Sequence, residues 1–369
     1  MKKTLVVLLI LAVAGGVFAQ DISWSGGVQT GLKIDIQDAS DDVMIWSDDD
    51  DTNEGVRARL NLEVADENWG VQLGFGANIS EGTGNSAFVY NAHGWMDFLN
   101  NMIRVRAGYI DPGVWTTKGP EDFNVSSGLG VRLEVMPIEG LSVGATLKFD
   151  NDMDMEGSGI GGAATMTVQQ FFQETALGFS FSMPDMMGLY IAAGLQLDSD
   201  YNGNDKEMQM IFGLGISPMD ALSINVEAQI SNLGDYSKQG WMWLIEKVSY
   251  KVMDNFTVAL RMDQKFQDKD IGFANDFFKT WLKFEPTAEY GITEQISVGA
   301  GIPLTIEAGK AGKEDMGFSS LVLDVWGKYA IGGAFVKVGY GFTFTTEDFS
   351  TTGESYADHY IRLLFGYSF

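Results

Sequence analysis

Apolar and polar residues alternate with a period of two along much of the chain. The alternation is most regular in the last ten residues, where the apolar positions are Ile361, Leu363, Phe365, Tyr367 and Phe369. In an extended strand, neighbouring side chains point to opposite faces, so this pattern predicts a strand with one apolar and one polar or small face. About ten residues of such a pattern form the repeat unit of a transmembrane β-barrel.

The same pattern recurs throughout the chain and predicts an all-β fold. We expect a transmembrane antiparallel β-barrel of about 18 strands, with 16 as the alternative even number. The first strand ends near Ile36, and the next two cover about 56–64 and 69–79. The other strands are expected near 86–97, 102–110, 124–136, 141–150, 174–183, 189–198, 207–217, 222–231, 241–252, 256–266, 277–289, 295–305, 319–330, 334–345 and 356–369. Within 86–97 and 319–330 the alternation is broken.

Short and long connections alternate between the predicted strands. Short turns are expected at 66–68, 98–101, 137–140, 184–188, 218–221, 253–255, 291–294 and 331–333. Longer segments are expected at 37–55, 80–85, 111–123, 151–173, 199–206, 232–240, 267–276, 306–318 and 346–355. This asymmetry is typical of outer-membrane barrels, with the short turns and both chain ends on the periplasmic side.

The final strand resembles the closing strand of bacterial outer-membrane β-barrels. In those proteins a C-terminal Phe, preceded by alternating apolar residues, is recognised by the barrel-assembly machinery. The residues that match this pattern are Phe369, Tyr367, Phe365, Leu363 and Ile361. The resemblance implies insertion into outer-membrane lipid with the help of that machinery. The alternative is an edge strand of a soluble β-sandwich.

The N-terminus has the three parts of a secretory signal peptide. Two lysines precede an apolar stretch at 5–13, and Val-Phe-Ala at 17–19 fits the small-x-small cleavage rule. We therefore expect export through the Sec pathway with cleavage after Ala19. Residues 1–19 are then the signal peptide, and residues 20–369 form a single barrel domain.

The composition narrows the possible functions. The chain has no Cys, which excludes disulfides and thiolate metal sites. Its formal net charge is −26, from 24 basic and 50 acidic residues, so nucleic acid is not an expected partner. On the polar face of the predicted strands, basic residues outnumber acidic ones, and the acidic excess therefore falls mostly in loops. A water-filled lumen can hold so many charges, whereas a solid core would desolvate them at high cost.

Five arginines lie on the polar face of three predicted strands. They are Arg57, Arg59, Arg104, Arg106 and Arg132. The third long loop, 111–123, contains the acidic residues Asp111, Glu121 and Asp122. This combination resembles general porins, in which a basic ladder on the wall faces an acidic third loop folded into the barrel. The resemblance implies a constriction whose transverse field sets ion selectivity.

An alternative explanation is that the arginines only line the wall, paired with Glu63 and Glu134. The loop is short and lacks the loop motif of general porins, so the sequence leaves both explanations open. If the constriction exists, charge reversal at Arg104 and Arg106 should shift the reversal potential toward cations.

Three other stretches carry weaker signals. A run of four acidic residues could bind divalent cations, although a solvated acidic loop is the better explanation, and no other metal site is expected. The run consists of Asp48, Asp49, Asp50 and Asp51. Residues 150–154 begin like a calcium loop, but Met155 stands where that loop needs Gly. Segment 163–172 is apolar for a loop and is compatible with a short helix, a strand extension or a plug.

These features favour a porin, a water-filled pore for passive diffusion of ions and small hydrophilic solutes. The alternative is a surface barrel that acts in adhesion or display, with little or no pore activity. A sugar-specific channel is a variant of the porin, because Trp241, Trp243 and Trp281 face inward on one of two possible strand phases. Neither an enzyme nor a cofactor is expected, since His93 and His359 have no nucleophile and orienting residue at a suitable spacing. Porins that this chain resembles are often homotrimers, so a homotrimer is a further possibility.

Overall fold

The computed structural model describes residues 21–36, 41–46, 56–79, 86–110, 115–125, 128–148, 174–199, 206–231, 241–267, 280–308, 317–346 and 355–369. Most of these residues form one sheet of 20 strand segments. They contain no helix that is long and apolar enough to cross a membrane. The predicted signal peptide, 1–19, lies outside the described residues.

Strands account for nearly all of the described residues, as the alternation predicts. Their bounds are β1 Asp21–Ile36, β2 Asp41–Trp46, β3 Val56–Asp66, β4 Trp69–Ile79, β5 Ser86–Phe98, β6 Ile103–Ile110, β7 Gly128–Val135, β8 Leu141–Lys148, β9 Glu174–Met183, β10 Leu189–Ser199, β11 Lys206–Met219, β12 Leu222–Ser231, β13 Trp241–Met253, β14 Phe256–Gln267, β15 Thr280–Gly291, β16 Ile296–Gly301, β17 Leu304–Ala308, β18 Gly317–Ile331, β19 Ala334–Thr345 and β20 Tyr356–Ser368. The predicted alternation of short and long connections is confirmed by these bounds.

The sheet closes into an antiparallel barrel with 18 strands around its circumference. The closing contact joins β1 to β20, with Gly27 opposite Ser368 and Ile36 opposite His359. Two of the 18 strands are split into segments: β2 and β3 both pair with β1, and β16 and β17 both lie between β15 and β18. The predicted number of 18 is confirmed, and the alternative of 16 is wrong.

Two predicted boundaries are wrong. The sequence predicts a loop over 37–55, but residues 41–46 form β2 and pair with residues 31–36 of β1. Residues 43–46 are four consecutive apolar residues between acidic ones, so the alternation that identifies the other strands is absent here. The sequence also predicts a strand from residue 124, but β7 begins at Gly128, because Asn124 and Val125 belong to a segment inside the barrel.

The two irregular strands each contain a β-bulge. In the β4–β5 pair, Gly74 lies opposite Asn91 and Phe75 opposite Val89, so Tyr90 is the extra residue. In the β17–β18 pair, Thr305 and Ile306 lie opposite Ser320 and Phe318, so Ser319 is the extra residue. A bulge moves all later side chains to the other face, which explains the broken alternation within 86–97. In 319–330 the bulge lies at the first residue, and the alternation is broken because Val322 and Trp326 share the inward face with Asp324.

The register assigns an apolar face to the outside of the barrel. Phe212, Leu260 and Val338 lie on it, with 46%, 40% and 51% of their surface exposed. Glu246 in the middle of β13 is an exception, since it lies between the outward residues Val226 and Met262. The opposite face of each strand points to the lumen and carries the charged residues of the sequence pattern. This arrangement suits a barrel with lipid outside and water inside.

Val338→Arg should destabilise the barrel in lipid vesicles. The arginine would lie on the outward face of β19, between Gly327 and Leu363. We expect the free energy of unfolding to fall by about 2–4 kcal/mol, the cost of an arginine at the bilayer midplane. Urea titration with tryptophan fluorescence measures this change.

Thr343→Arg on the same strand is the matched control. Thr343 faces the lumen opposite Asp358, so its replacement should change the free energy of unfolding little. Equal losses in the two variants would contradict the assignment of the two faces.

Candidate pore constriction

The connection between β6 and β7 enters the barrel. Its residues 115–125, here called the inner loop, form a narrow turn with a bridge between Thr116 and Asn124. The Thr117 amide donates a hydrogen bond to the Phe123 carbonyl at 3.0 Å. Side chains of the inner loop contact the inward faces of β8 to β14. The inner loop therefore lies against one side of the lumen.

Glycines on the wall make room for the inner loop. The fully buried Trp115 ring covers Gly178, where a Cβ atom would overlap the ring. The same ring lies 3.0 Å from a Cβ built on Gly144, and Thr117 lies 2.7 Å from one built on Gly213. Only glycine permits these close approaches without displacing the inner loop.

An apolar cluster joins the inner loop to the wall. Phe123 and Val125 pack on Ala176, Ile211 and Ile245, all of which are buried. Most of the buried apolar side chains among the described residues lie at this contact. The hydrophobic core of the barrel is therefore in the lumen, between the inner loop and the wall. Burial of these side chains favours the inward position of the loop.

Two charged residues on the wall fasten the polar part of the inner loop. Glu227 of β12 is fully buried and accepts hydrogen bonds from the Thr117 hydroxyl at 2.5 Å and the Glu121 amide at 2.8 Å. Arg261 of β14 donates to the Glu121 carboxylate at 2.5 Å and to both oxygens of Asp263 at 2.7 and 2.9 Å. Charge-assisted bonds of this kind are stronger than neutral ones.

Three of the five predicted arginines form a paired cluster on β6 and β7. Arg104 makes two hydrogen bonds to Asp97, each of 2.6 Å. Arg106 bonds to Glu134 at 2.6 Å and contacts His93 at 3.1 Å.

The third member, Arg132, links this cluster to the inner loop. It is fully buried, 3.8 Å from Glu134, and its guanidinium carbon lies 5.2 Å from the centre of the Trp115 ring. The wall-lining explanation therefore describes this cluster well, with Asp97 taking the place expected for Glu63.

Arg57 and Arg59 lie elsewhere, on β3. Around the wall of 18 strands, β3 and β12 are nine strands apart, so they stand on opposite sides of the lumen. The side chains of Glu121 and Asp122 on the inner loop are exposed on the β12 side. The structure thus places two arginines across the lumen from two acidic residues. Asp111, the third predicted acidic residue, lies outside the described residues.

Other predicted sites receive no structural description. The acidic run expected as a weak cation site, residues 150–155 and segment 163–172 all lie outside the described residues. The residues of that run are Asp48, Asp49, Asp50 and Asp51, so cation binding by them stays a prediction.

The described residues contain no alternative metal site, and both histidines contact neighbouring side chains. Among them, no group of three or more His, Asp or Glu side chains is placed to hold a metal ion. His93 contacts Asn91 at 2.6 Å, and His359 contacts the Tyr340 hydroxyl at 2.6 Å.

The sequence analysis missed several residues of this site. Trp115, Thr117 and Phe123 attach the inner loop to the wall, and Glu227 and Arg261 are the wall residues that bind its polar groups. The available signal was the combination of an aromatic loop with inward-facing glycines on four consecutive strands, β8 to β11. Those glycines are Gly144, Gly178, Gly194 and Gly213.

The fold is similar to that of solved outer-membrane proteins. No protein-family model and no curated protein matches the chain. OpdQ of Pseudomonas aeruginosa has a TM-score of 0.57 at 12% identity, with 95% of this chain and 99% of that chain covered. OprD of Pseudomonas aeruginosa has a TM-score of 0.54 at 12% identity, with 95% of each chain covered. OmpT of Vibrio cholerae, an outer membrane protein in a trimer form, has a TM-score of 0.53 at 12% identity, with 95% of this chain and 100% of that chain covered.

The chain shares the barrel fold of these proteins. The barrel matches along almost the whole of both chains, which agrees with the 18-strand closure. At such low identity the similarity concerns the fold, and the role of the inner loop must be argued from its own contacts.

Gly178→Leu should release the inner loop, because the Trp115 ring occupies the space that the new side chain needs. The chain has no Cys, so Val125→Cys adds a single thiol at a position that is 1% exposed. We expect this thiol to react slowly with a water-soluble maleimide in the parent barrel and much faster with Gly178→Leu. Labelling kinetics in detergent give the measurement.

Gly327→Leu is the control for this experiment. A Cβ atom at Gly327 meets no atom within 4 Å, so the labelling rate should stay at the parent value. Slow labelling in the Gly178→Leu variant would contradict the packing of Trp115 on the wall.

Proposed function

We propose that the protein is an outer-membrane porin that lets ions and small hydrophilic solutes diffuse through a water-filled pore. The observation that carries this proposal is the contrast between the two faces of one closed sheet. The outside is apolar, and the lumen carries charged side chains together with a folded inner loop. Charges along a lumen stay hydrated if water fills the space, and such a lumen conducts ions.

The proposed outer-membrane location rests on the outward face and on the final strand. Ile361, Phe365, Tyr367 and Phe369 are exposed on the outward side. Phe369 also exchanges two backbone hydrogen bonds of 3.0 Å with Gly26, so the terminal residue takes part in closing the barrel. These features suit recognition by the assembly machinery and contact with lipid. Export through Sec with cleavage after Ala19 stays a prediction, as does a homotrimer.

The proposed constriction lies between the inner loop and the wall at β3. The inner loop occupies one side of the lumen, so solutes pass on the side of Arg57 and Arg59. Asp122 faces these arginines across the remaining space in this proposal, whereas the Glu121 carboxylate is paired with Arg261 at 2.5 Å. Opposite charges on two sides of a narrow passage produce a transverse field, which orients polar solutes and contributes to ion selectivity.

Single-channel recording tests the pore directly. The chain from residue 20, refolded and inserted into a planar bilayer, should open in large ohmic steps. A folded barrel that stays electrically silent would contradict the porin proposal and favour the surface-display alternative. Circular dichroism shows whether the silent sample is folded.

Shortening the inner loop should widen the pore. Replacement of residues 116–124 by two glycines removes the polar fastening and most of the side chains that narrow the lumen. We expect a larger single-channel conductance with unchanged strand content by circular dichroism. Unchanged conductance would show that the inner loop does not limit the passage of ions.

Arg57 and Arg59 should affect selectivity more than Arg104 and Arg106, because they line the proposed passage. The charge of Arg104 is offset by Asp97 and that of Arg106 by Glu134, each at 2.6 Å, on the wall beside the inner loop. We expect Arg57→Gln with Arg59→Gln to shift the reversal potential in a KCl gradient toward cations. The double change Arg104→Gln with Arg106→Gln serves as the comparison and should give a smaller shift. A larger shift from the second pair would contradict the proposed position of the constriction.

A further inference from the structure

Four aromatic side chains and one lysine meet beside the inner loop. Trp243 of β13 lies 5.2 Å from Phe123 of the inner loop and 6.0 Å from Trp281 of β15, between ring centres. The Lys265 ammonium of β14 lies 5.1 Å from the centre of the Trp241 ring and 5.7 Å from that of Trp243. We call these five residues the aromatic cluster.

The aromatic cluster faces the lumen. Trp243 lies opposite Lys265 in the β13–β14 register, on the same face as the lumen residues Arg261 and Asp263. The phase that the sequence left open for Trp241 and Trp243 is therefore the inward one. The three tryptophans are partly exposed, so their surfaces are not entirely used in packing.

The height of the cluster in the barrel follows from the strand ends. Trp241 begins β13, Lys265 lies near the end of β14, and Trp281 lies near the start of β15. These ends are joined by the long connections 232–240 and 268–279, on the side from which the inner loop enters. A solute that arrives from this side meets the aromatic cluster before it passes the inner loop.

The charges around Trp281 have opposite signs. In the register, Trp281 lies between Lys265 on β14 and Glu307 on β17. Such a surface offers a flat apolar ring, a cationic donor and an anionic acceptor within one row of side chains. Its positive and negative charges balance, so the surface selects neither an anion nor a cation. A neutral solute with a flat C–H face and several hydroxyl groups matches it better than a simple ion.

We propose that the aromatic cluster binds neutral saccharides on their way through the lumen. The less polar face of a sugar ring stacks on Trp281 and Trp241, and its hydroxyls accept a hydrogen bond from Lys265 and donate one to Glu307. Trp243 and Phe123 support these rings from the side of the inner loop. The proposal rests on the proposed pore function only in that the solute enters through the lumen.

The test uses maltotriose as the probe and a polyethylene glycol of similar hydrodynamic radius as the control solute. In planar bilayers, maltotriose should reduce the ion current in a saturable way, and the polyethylene glycol should not saturate. Trp281→Ala should raise the half-saturating concentration of maltotriose about three- to tenfold, as expected for the loss of one stacked ring. Trp326→Ala is the matched variant and should leave it unchanged. Trp326 also faces the lumen and packs against Gly299, and the Lys337 ammonium lies 5.3 Å from the centre of its ring. It lies toward the short-turn ends of the strands, whereas the aromatic cluster lies at the ends with the long connections.

A second measurement separates this proposal from the pore proposal. Maltotriose is titrated into the folded barrel in detergent, and the tryptophan fluorescence is followed for the parent chain and the two variants. A saturable change that Trp281→Ala weakens and Trp326→Ala retains supports the site even for a barrel that does not conduct. Conducting channels without saturable block or fluorescence change would overturn the site and leave the pore proposal intact. Block by an acidic sugar but not by maltotriose would also overturn it, because charge and not stacking would then control binding.

Discussion

The structure depends on the requirement that every strand of the sheet has two neighbours. An open edge would leave a row of backbone N–H and C=O groups without hydrogen-bond partners, and an apolar surrounding contains no water to pair with them. The pairing of β1 with β20 removes that edge, and Phe369 extends the closure by its two hydrogen bonds to Gly26. Once the ring is closed, each strand has an inner and an outer face. The alternation along the chain then directs polar side chains to the lumen and apolar side chains to the outside.

The inner loop is the second constraint on the lumen. A closed barrel of 18 strands is too wide for side chains from the wall alone to fill it. The inner loop supplies additional groups, and its position is set by glycines on neighbouring strands and by the apolar contacts of Phe123 and Val125. Glu227 and Arg261 then fix the polar backbone and the Glu121 side chain. Apolar burial and charged hydrogen bonds therefore act on the same short segment.

In the proposed pore, charge in the lumen is divided between structure and solute. Arg104, Arg106 and Arg132 are held by Asp97 and Glu134, and this cluster supports the Trp115 ring. On the other side, Arg57 and Arg59 line the proposed passage beside the inner loop. A basic ladder seen in the sequence can thus have two physical roles, and the place of each arginine relative to the inner loop decides between them.

Strand identity and facing follow from the sequence because a period of two is a local property of the chain. The alternation predicted 18 strands, with 16 left open, together with the apolar outer face and the order of short and long connections, but it missed β2. It became unclear at the bulge of Tyr90, where an extra residue reverses the faces, and on β13, whose phase the sequence left open. The position of the inner loop and the partners of the arginines were decided by the tertiary structure. Arg104 and Asp97 are seven residues apart, but Arg261 and Glu121 are 140 apart, and only the closed barrel brings such distant side chains together.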